Sequence, residues 1–174
     1  MKIEARAMKI KLSAMRRRLR SQSGSAMVEL AVVVSILGVP LLIGTSQMGL
    51  IVYDSIEVSN AAYVGAEYGM QSLTYASDTA QITAAARAEA ADFSGTSVTV
   101  TPTIYYACAT AMGGTQYTGT NAQSNAVAAC TGSDNRAVEF IKVTTSVPVT
   151  PVIHAPGLPA TYTLTGSSVM EVEQ

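Results

Sequence analysis

The apolar positions of this chain fall into three regimes. From Leu30 to Tyr53 (LAVVVSILGVPLLIGTSQMGLIVY) there is no charged residue, and the first fourteen positions are almost wholly apolar. About 20 helical residues cross a bilayer core of ~30 Å, so this stretch is long enough to span one. From Val58 to Met70 the chain is Ala-rich, with Ile56, Asn60 and Val64 on one helical stripe and Ala61, Gly65 and Tyr68 on another. One long helix from Ser25 to about Tyr75 is predicted, ~75 Å of it at 1.5 Å per residue. Its second half would pack on a globular head, with the small residues Ala61, Ala62, Gly65, Ala66 and Gly69 in close contact with a strand or loop. Pro40 removes the amide donor to the Ile36 carbonyl and should kink or loosen the helix; the other reading is an ordinary membrane-helix proline whose neighbours re-satisfy the backbone. Ser77 or Asp78 can cap a second helix over Thr79–Ala91, and Gly95 should end that region.

Beyond Gly95 the period changes from helical to alternating. Thr96–Tyr106 (TSVTVTPTIYY) is β-branched and reads as a strand, broken or set on an edge by Pro102. Residues 107–135 are rich in Gly, Thr, Asn and Ala and read as a long loop. Val138–Val149 is a second strand, with Val138, Phe140, Lys142 and Thr144 on one face and Glu139, Ile141, Val143 and Thr145 on the other; neither face is cleanly apolar. The prolines between Pro148 and Pro159 force an irregular connection, and Tyr162–Val172 is a third strand. The class is α+β: a long N-terminal helix, a short second helix, and a small antiparallel sheet of three to four strands.

Composition narrows the function. The chain has 174 residues with one His, two Cys and no Trp, and 13% of it is charged, about half the usual share of a soluble domain. The formal net charge of −1 hides a division. Residues 1–24 carry net +7, and residues 25–174 carry net −8. An acidic body argues against nucleic acid as its partner. The positive-inside rule puts the basic end in the cytoplasm and residues 54–174 outside. There is no Gly-x-Ser-x-Gly elbow, and His154 lies among prolines without a matching nucleophile and carboxylate, so no enzyme, small-molecule substrate or cofactor is expected. Cys108 and Cys130 lie 22 positions apart in the long loop. Outside the cytoplasm they should form a disulfide, contributing roughly 3 kcal/mol in the chain-entropy model. Two thiols and one distant His make no metal site. Tyr105, Tyr106 and Tyr117 are open to two readings, a contact surface or core packing.

The start of the apolar run admits three readings: a cleaved secretory signal, a plain one-pass anchor, or something set by Glu29. A secretory signal needs a small-x-small site after its apolar core, and Gly44-Thr45-Ser46 is a poor one. Glu29 is a carboxylate at the head of the apolar segment, where a charge at bilayer depth costs a few kcal/mol. Its bland reading is a headgroup-level acid favoured by the positive end of a starting helix. The sequence Gly24-Ser25-Ala26-Met27-Val28-Glu29-Leu30, after a basic leader, resembles the processing site of type IV prepilins. Cleavage after Gly24 would leave the membrane helix in the mature chain, remove the basic charges, and create an α-amine at Ser25. That amine and the Glu29 carboxylate of a neighbouring subunit are a natural pair, because an unpaired buried charge is costly.

Ser25–Tyr68 is moreover similar to the TadE family of pilin-like proteins of the tight-adherence (Tad, or Flp) system. The resemblance lies in the Ala-x-Val-Glu-x-Ala pattern at Ala26–Ala31, Pro40 within the apolar run, Gly49 to Tyr53, and Asn60-Ala61-Ala62 with Gly65-Ala66; the Pro-rich segment 147–159 and the final strand agree with it. The resemblance implies a minor pilin or pseudopilin that takes part in assembling or priming a Tad pilus for adherence. The implied organisation is a cleaved leader at 1–24, a transmembrane and filament-core helix at 25–53, and an extracytoplasmic head at 54–174. The implied partners are a prepilin peptidase acting at Gly24 and Ser25, other pilin or pseudopilin subunits, an inner-membrane assembly platform, and membrane lipid before assembly. The implied location is the inner membrane as a single-pass protein, then the cell surface. The alternative is a bitopic membrane protein with an extracytoplasmic binding domain and no filament role.

Overall fold

The computed structural model describes residues 24–93, 98–110, 114–132, 135–152 and 159–173. The chain divides into two compact units, Met1–Met48 and Gly49–Gln174. Helix α1 runs from Gly24 to Met70 and includes a π-helical turn at Val34–Gly38. It is followed by α2 (Leu73–Ser77), α3 (Thr79–Glu89), a 3-10 turn at Ala91–Phe93, β1 (Thr99–Cys108), α4 (Ala122–Ala129), β2 (Ala137–Val149) and β3 (Tyr162–Glu171). The class is α+β, as the change of hydrophobic period implies. The basic leader, Gly95 and His154 lie outside the described residues.

The long helix ends about five residues sooner than its Ala-rich composition suggests. Ser72 takes an extended backbone and its side chain accepts from the Tyr75 N–H, which restarts the chain as α2. The Met70 carbonyl, orphaned at the helix end, accepts the Glu173 N–H at 2.8 Å. A tertiary bond to the chain's far end thus satisfies the group that another turn of helix would have used. Asp78 caps α3, its carboxylate accepting from the Gln81 N–H at 3.0 Å.

The sheet has three antiparallel strands in the order β1-β2-β3. Its helix-facing side carries Ile141, Val143, Thr145 and Val147 of β2, all fully buried. Two clusters form there: Ile82, Ile141, Val143 and Val172 with Ala66 and Ala76, and Val58, Val98 and Val147 with Ala61 and Ala90. The large side chains come mainly from the sheet and α3, whereas α1 contributes Val58, Ala61, Ala62, Gly65, Ala66 and Gly69. A Cβ on Gly65 would meet Val143 and Ala86 at 3.2 Å, and one on Gly69 would meet Ile141 at 3.1 Å. Passing from Val58 to Gly69, α1 therefore crosses β3 at Gly166 and then follows β2 in the reverse sense.

The closest approach is at Gly166 of β3, where a Cβ would lie 2.6 Å from the Val58 carbonyl oxygen and 2.7 Å from Ser59 Cα. Gly166 is the register partner of Thr145. The Thr145 hydroxyl, wholly buried, donates to the Val58 carbonyl at 2.7 Å. One hydrogen bond and one missing side chain thus fix the same point of contact between helix and sheet.

Among the described residues, the opposite face is covered at one end. There Tyr105, Ala107, Val138 and Phe140 form a third cluster, with the Tyr105 and Phe140 rings stacked at 5.5 Å. Residues 107–135, read from sequence as a loop, contain α4, which packs on β1 and β2. Ala122, Ala126 and Cys130 form its buried face at intervals of four. The Cys108–Cys130 disulfide, Cα–Cα 5.3 Å, ties the end of β1 to the end of α4. The rest of this face is open and hydroxyl-rich, with Thr99, Thr101 and Thr103 on β1 and Thr163, Thr165 and Ser167 on β3 all exposed.

At the same end of the sheet, on its helix-facing side, the Tyr106 hydroxyl donates to the buried carboxylate of Glu139, its register partner. That bond, with burial and the carboxylate's charge, pushes the Tyr106 phenol up to about 12 from its ordinary 10.0.

Replacing Gly166 with Ala forces backbone against backbone and should cost about 1–3 kcal/mol. Thr145→Val keeps the shape, loses the hydrogen bond and should cost about 1 kcal/mol. Thermal unfolding of the full chain in detergent checks both; a Gly166→Ala variant that melts like the parent contradicts the close approach. The raised Tyr106 pKa makes a separate prediction. The folded state holds that proton more tightly than the unfolded state, so its stabilisation is complete below pH ~10 and is lost as pH rises towards 12. Tyr106→Phe should be less stable at neutral pH and should flatten the alkaline fall, as read from unfolding at stepped pH.

Candidate functional site

Residues 24–48 of α1 present an apolar surface. Val28, Leu30, Ile36, Leu37, Leu41 and Leu42 are each 60% or more exposed, and the helix is long and apolar enough to cross a membrane. Its hydroxyls are satisfied internally. Ser35 donates to the Ala31 carbonyl at 2.7 Å, Thr45 to the Leu41 and Leu42 carbonyls at 3.0 Å, and Ser46 to the Leu42 carbonyl at 2.9 Å. Such back-bonding to the preceding turn leaves no hydroxyl in need of a partner helix, so this surface can stand in hydrocarbon alone.

Pro40 follows directly on the π-helical turn. The Val39 N–H donates to the Val34 carbonyl, five residues back. Pro40 has no N–H to offer the Ile36 carbonyl, and its ring would crowd that carbonyl in a regular α turn. Widening the preceding turn relieves the crowding. Gly38 lies inside this turn, where a Cβ would sit 3.4 Å from Val34 Cγ1.

Gly24 and Ser25 are the first two described residues and are already helical and exposed. Ser25 and Glu29 are one turn apart on the same face, and the Ser25 hydroxyl lies 3.5 Å from Glu29 Oε1. Among the described residues no cation stands within ion-pair distance of Glu29; the ion pair found there is Arg136–Glu171 at 3.2 Å, on the sheet. Among the described residues, the Glu29 carboxylate at the mouth of this apolar helix thus accepts one long contact, from the Ser25 hydroxyl, and has no ion-pair partner.

The other sequence candidates sit elsewhere. Cys108 and Cys130 are joined to each other, and among the described residues no group of His, Cys and acids is arranged to hold a metal ion. Of the three tyrosines, Tyr105 is core, Tyr106 binds Glu139, and Tyr117 pairs its backbone with that of Tyr106. Packing, rather than a shared contact surface, accounts for them.

The sequence gives no sign of an acidic cleft where α1 leaves its apolar stretch. Tyr53, Asp54, Glu57, Asp92, Phe93 and Pro148–Thr150 line a space of about 270 Å³. The Tyr53 hydroxyl donates to Asp92 Oδ2 at 3.4 Å. Burial pushes the Glu57 carboxyl up, and the neighbouring Asp92 charge adds to the rise. Asp54 and Glu57 are visibly one helical turn apart, but only the packing of α3 brings Asp92 to them.

No curated protein and no solved structure matches the chain at a significant level. A family model does. The model described as TadE-like protein matches residues 24–67, so Gly24, Glu29, the apolar span and most of the small-residue face of α1 form a TadE-like segment.

Proposed function

We propose that this chain is a TadE-like minor pilin or pseudopilin of a Tad (Flp) type IV pilus. It is made as a membrane precursor, cut after Gly24 by a prepilin peptidase, and drawn into the pilus or used to prime it for adherence. The observation that supports this reading is the combination of an exposed apolar helix whose hydroxyls bond its own backbone with Glu29 at its entry, which has no ion-pair partner among the described residues. Together these suit a chain that resides singly in lipid and later finds its electrostatic partner in an assembly. Cleavage before the helix supplies that partner, the α-amine at Ser25, and removes the basic leader that orients the precursor with its N-terminus in the cytoplasm. The amine of one subunit facing the Glu29 of the next neutralises both in an apolar bundle, where either alone costs a few kcal/mol.

The chain contributes no catalysis in this reading. Its partners are the prepilin peptidase, other pilin or pseudopilin subunits, the inner-membrane assembly platform and, before assembly, lipid. The Tyr53 ring at the end of the apolar stretch suits the headgroup level, and the head that follows lies outside the cytoplasm, where its disulfide forms.

Co-expression with a prepilin peptidase should shorten the chain by its first 24 residues and give Ser25 as the N-terminus on sequencing. Gly24→Val should block the cut. Glu29→Gln should leave cutting intact and lower recovery in sheared pili by at least ~10-fold, equivalent to about 1.4 kcal/mol per subunit contact. An uncut chain in native membranes supports the alternative, a bitopic anchor with an extracytoplasmic binding domain, and overturns this one.

A further inference from the structure

The two edges of the sheet are treated differently. Because the Ala109 N–H donates to the Arg136 carbonyl, the odd-numbered residues of β1 bond to β2 and the even-numbered ones turn their N–H and C=O outward. The outward positions are then 100, 102, 104, 106 and 108. Pro102 has no N–H to present, and both backbone groups of Tyr106 are taken by Tyr117. These are two of the devices by which proteins close a strand edge.

The edge of β3 has neither device. The Val172 N–H donates to the Glu139 carbonyl, so the even-numbered residues face β2 and Thr163, Thr165, Ser167, Val169 and Glu171 turn outward. Ten consecutive register pairs run without a bulge, and the strand holds no Pro and no Lys. Among the described residues these outward groups have no partner. The same five residues carry exposed side chains, mostly hydroxyl-bearing or β-branched, on the open face. On the helix side the Ser59 backbone lies against Gly166.

We infer that the outer edge of β3 is a strand-addition site for an extended, basic segment of a different polypeptide. Only an extended chain matches alternating free N–H and C=O groups. A second copy fits neither available way. Antiparallel pairing of β3 with itself, by a two-fold axis normal to the sheet, would bring together two chains that each carry net −8 and repel. Head-to-tail pairing of β3 with β1 of another copy meets Pro102 and Tyr117. Charge indicates the partner's sign: residues 25–174 carry net −8, and at one end of the edge Glu173 is exposed beside Glu171, which Arg136 already pairs. Nothing at this edge depends on cleavage after Gly24.

The test uses the full chain in detergent micelles and an acetylated, amidated peptide of alternating Val and Thr with an N-terminal Lys. Amide exchange is read by NMR. In the free chain, the amides of Leu164, Gly166 and Ser168 should be protected and those of Thr163, Thr165, Ser167 and Val169 should exchange fast. The peptide should protect the second set. Thr165→Pro, which removes an outward N–H and leaves the ladder to β2 whole, should weaken binding by at least ~10-fold. Thr165→Val should change it by less than ~3-fold. A matching peptide with Glu for Lys should bind more weakly. No new protection at about 1 mM peptide, or protection at β1 instead, overturns the proposal. So does Thr165→Pro binding as tightly as the parent. Should Thr165→Pro fail to melt cooperatively, the presence or absence of peptide-induced protection at Thr163, Thr165, Ser167 and Val169 of the unsubstituted chain decides the matter by itself.

Discussion

Everything in the head depends on how near the α1 backbone can come to the sheet. Where β3 passes under Val58 and Ser59 there is no room for a single methyl group, and the Thr145 hydroxyl closes the contact with a hydrogen bond. That approach requires the helix to present Ala and Gly where helices usually present Leu. It moves the work of filling space to the strands and to Ile82 of α3, whose large side chains reach up between the small ones. A buried polar bond at such a point also defines register: sliding β2 by one residue would withdraw Thr145 and drive Thr144 or Ser146 into its place.

The same helix obeys opposite rules in its two parts. Before Met48 it displays branched apolar side chains and buries none; beyond Val58 it buries almost nothing larger than Ala. In hydrocarbon, attraction between large apolar side chains and lipid is as good as that between helices, so size is free to vary and only polar groups must be looked after. Against a sheet in water, each methylene has to fit a packed interior. The back-bonded Ser35, Thr45 and Ser46 belong to the first regime, and Gly65 and Gly69 to the second.

Much of this was legible in the sequence because periodicity is local. The helix, its small-residue stripe, the three strands and the Cys108–Cys130 pair all follow from spacing and residue type. The end of α1 at Met70 does not, since Gln71 and Ser72 carry no strong stop signal and the carbonyl is claimed by Glu173, a hundred residues later. α4 is hidden by the Gly, Thr and Asn around it; it is held by its disulfide and by the Tyr105–Phe140 cluster rather than by a strong helical pattern of its own. Nothing in the sequence singles out Gly166; only the helix passing over it makes a glycine a requirement there. The acidic cleft escaped for the same reason: Asp92 joins Asp54 and Glu57 through tertiary packing alone.

The uncovered face of the sheet has a consequence of its own. Thr99, Thr101, Thr103, Thr163, Thr165 and Ser167 cover it with hydroxyls, which neither ionise in water nor gather counterions. Titration and screening, which alter every charged surface as the medium changes, reach this face through Lys142 and the Arg136–Glu171 pair rather than through the hydroxyls themselves. The hydroxyls of that face keep their hydrogen-bonding capacity in dilute and in saline media alike.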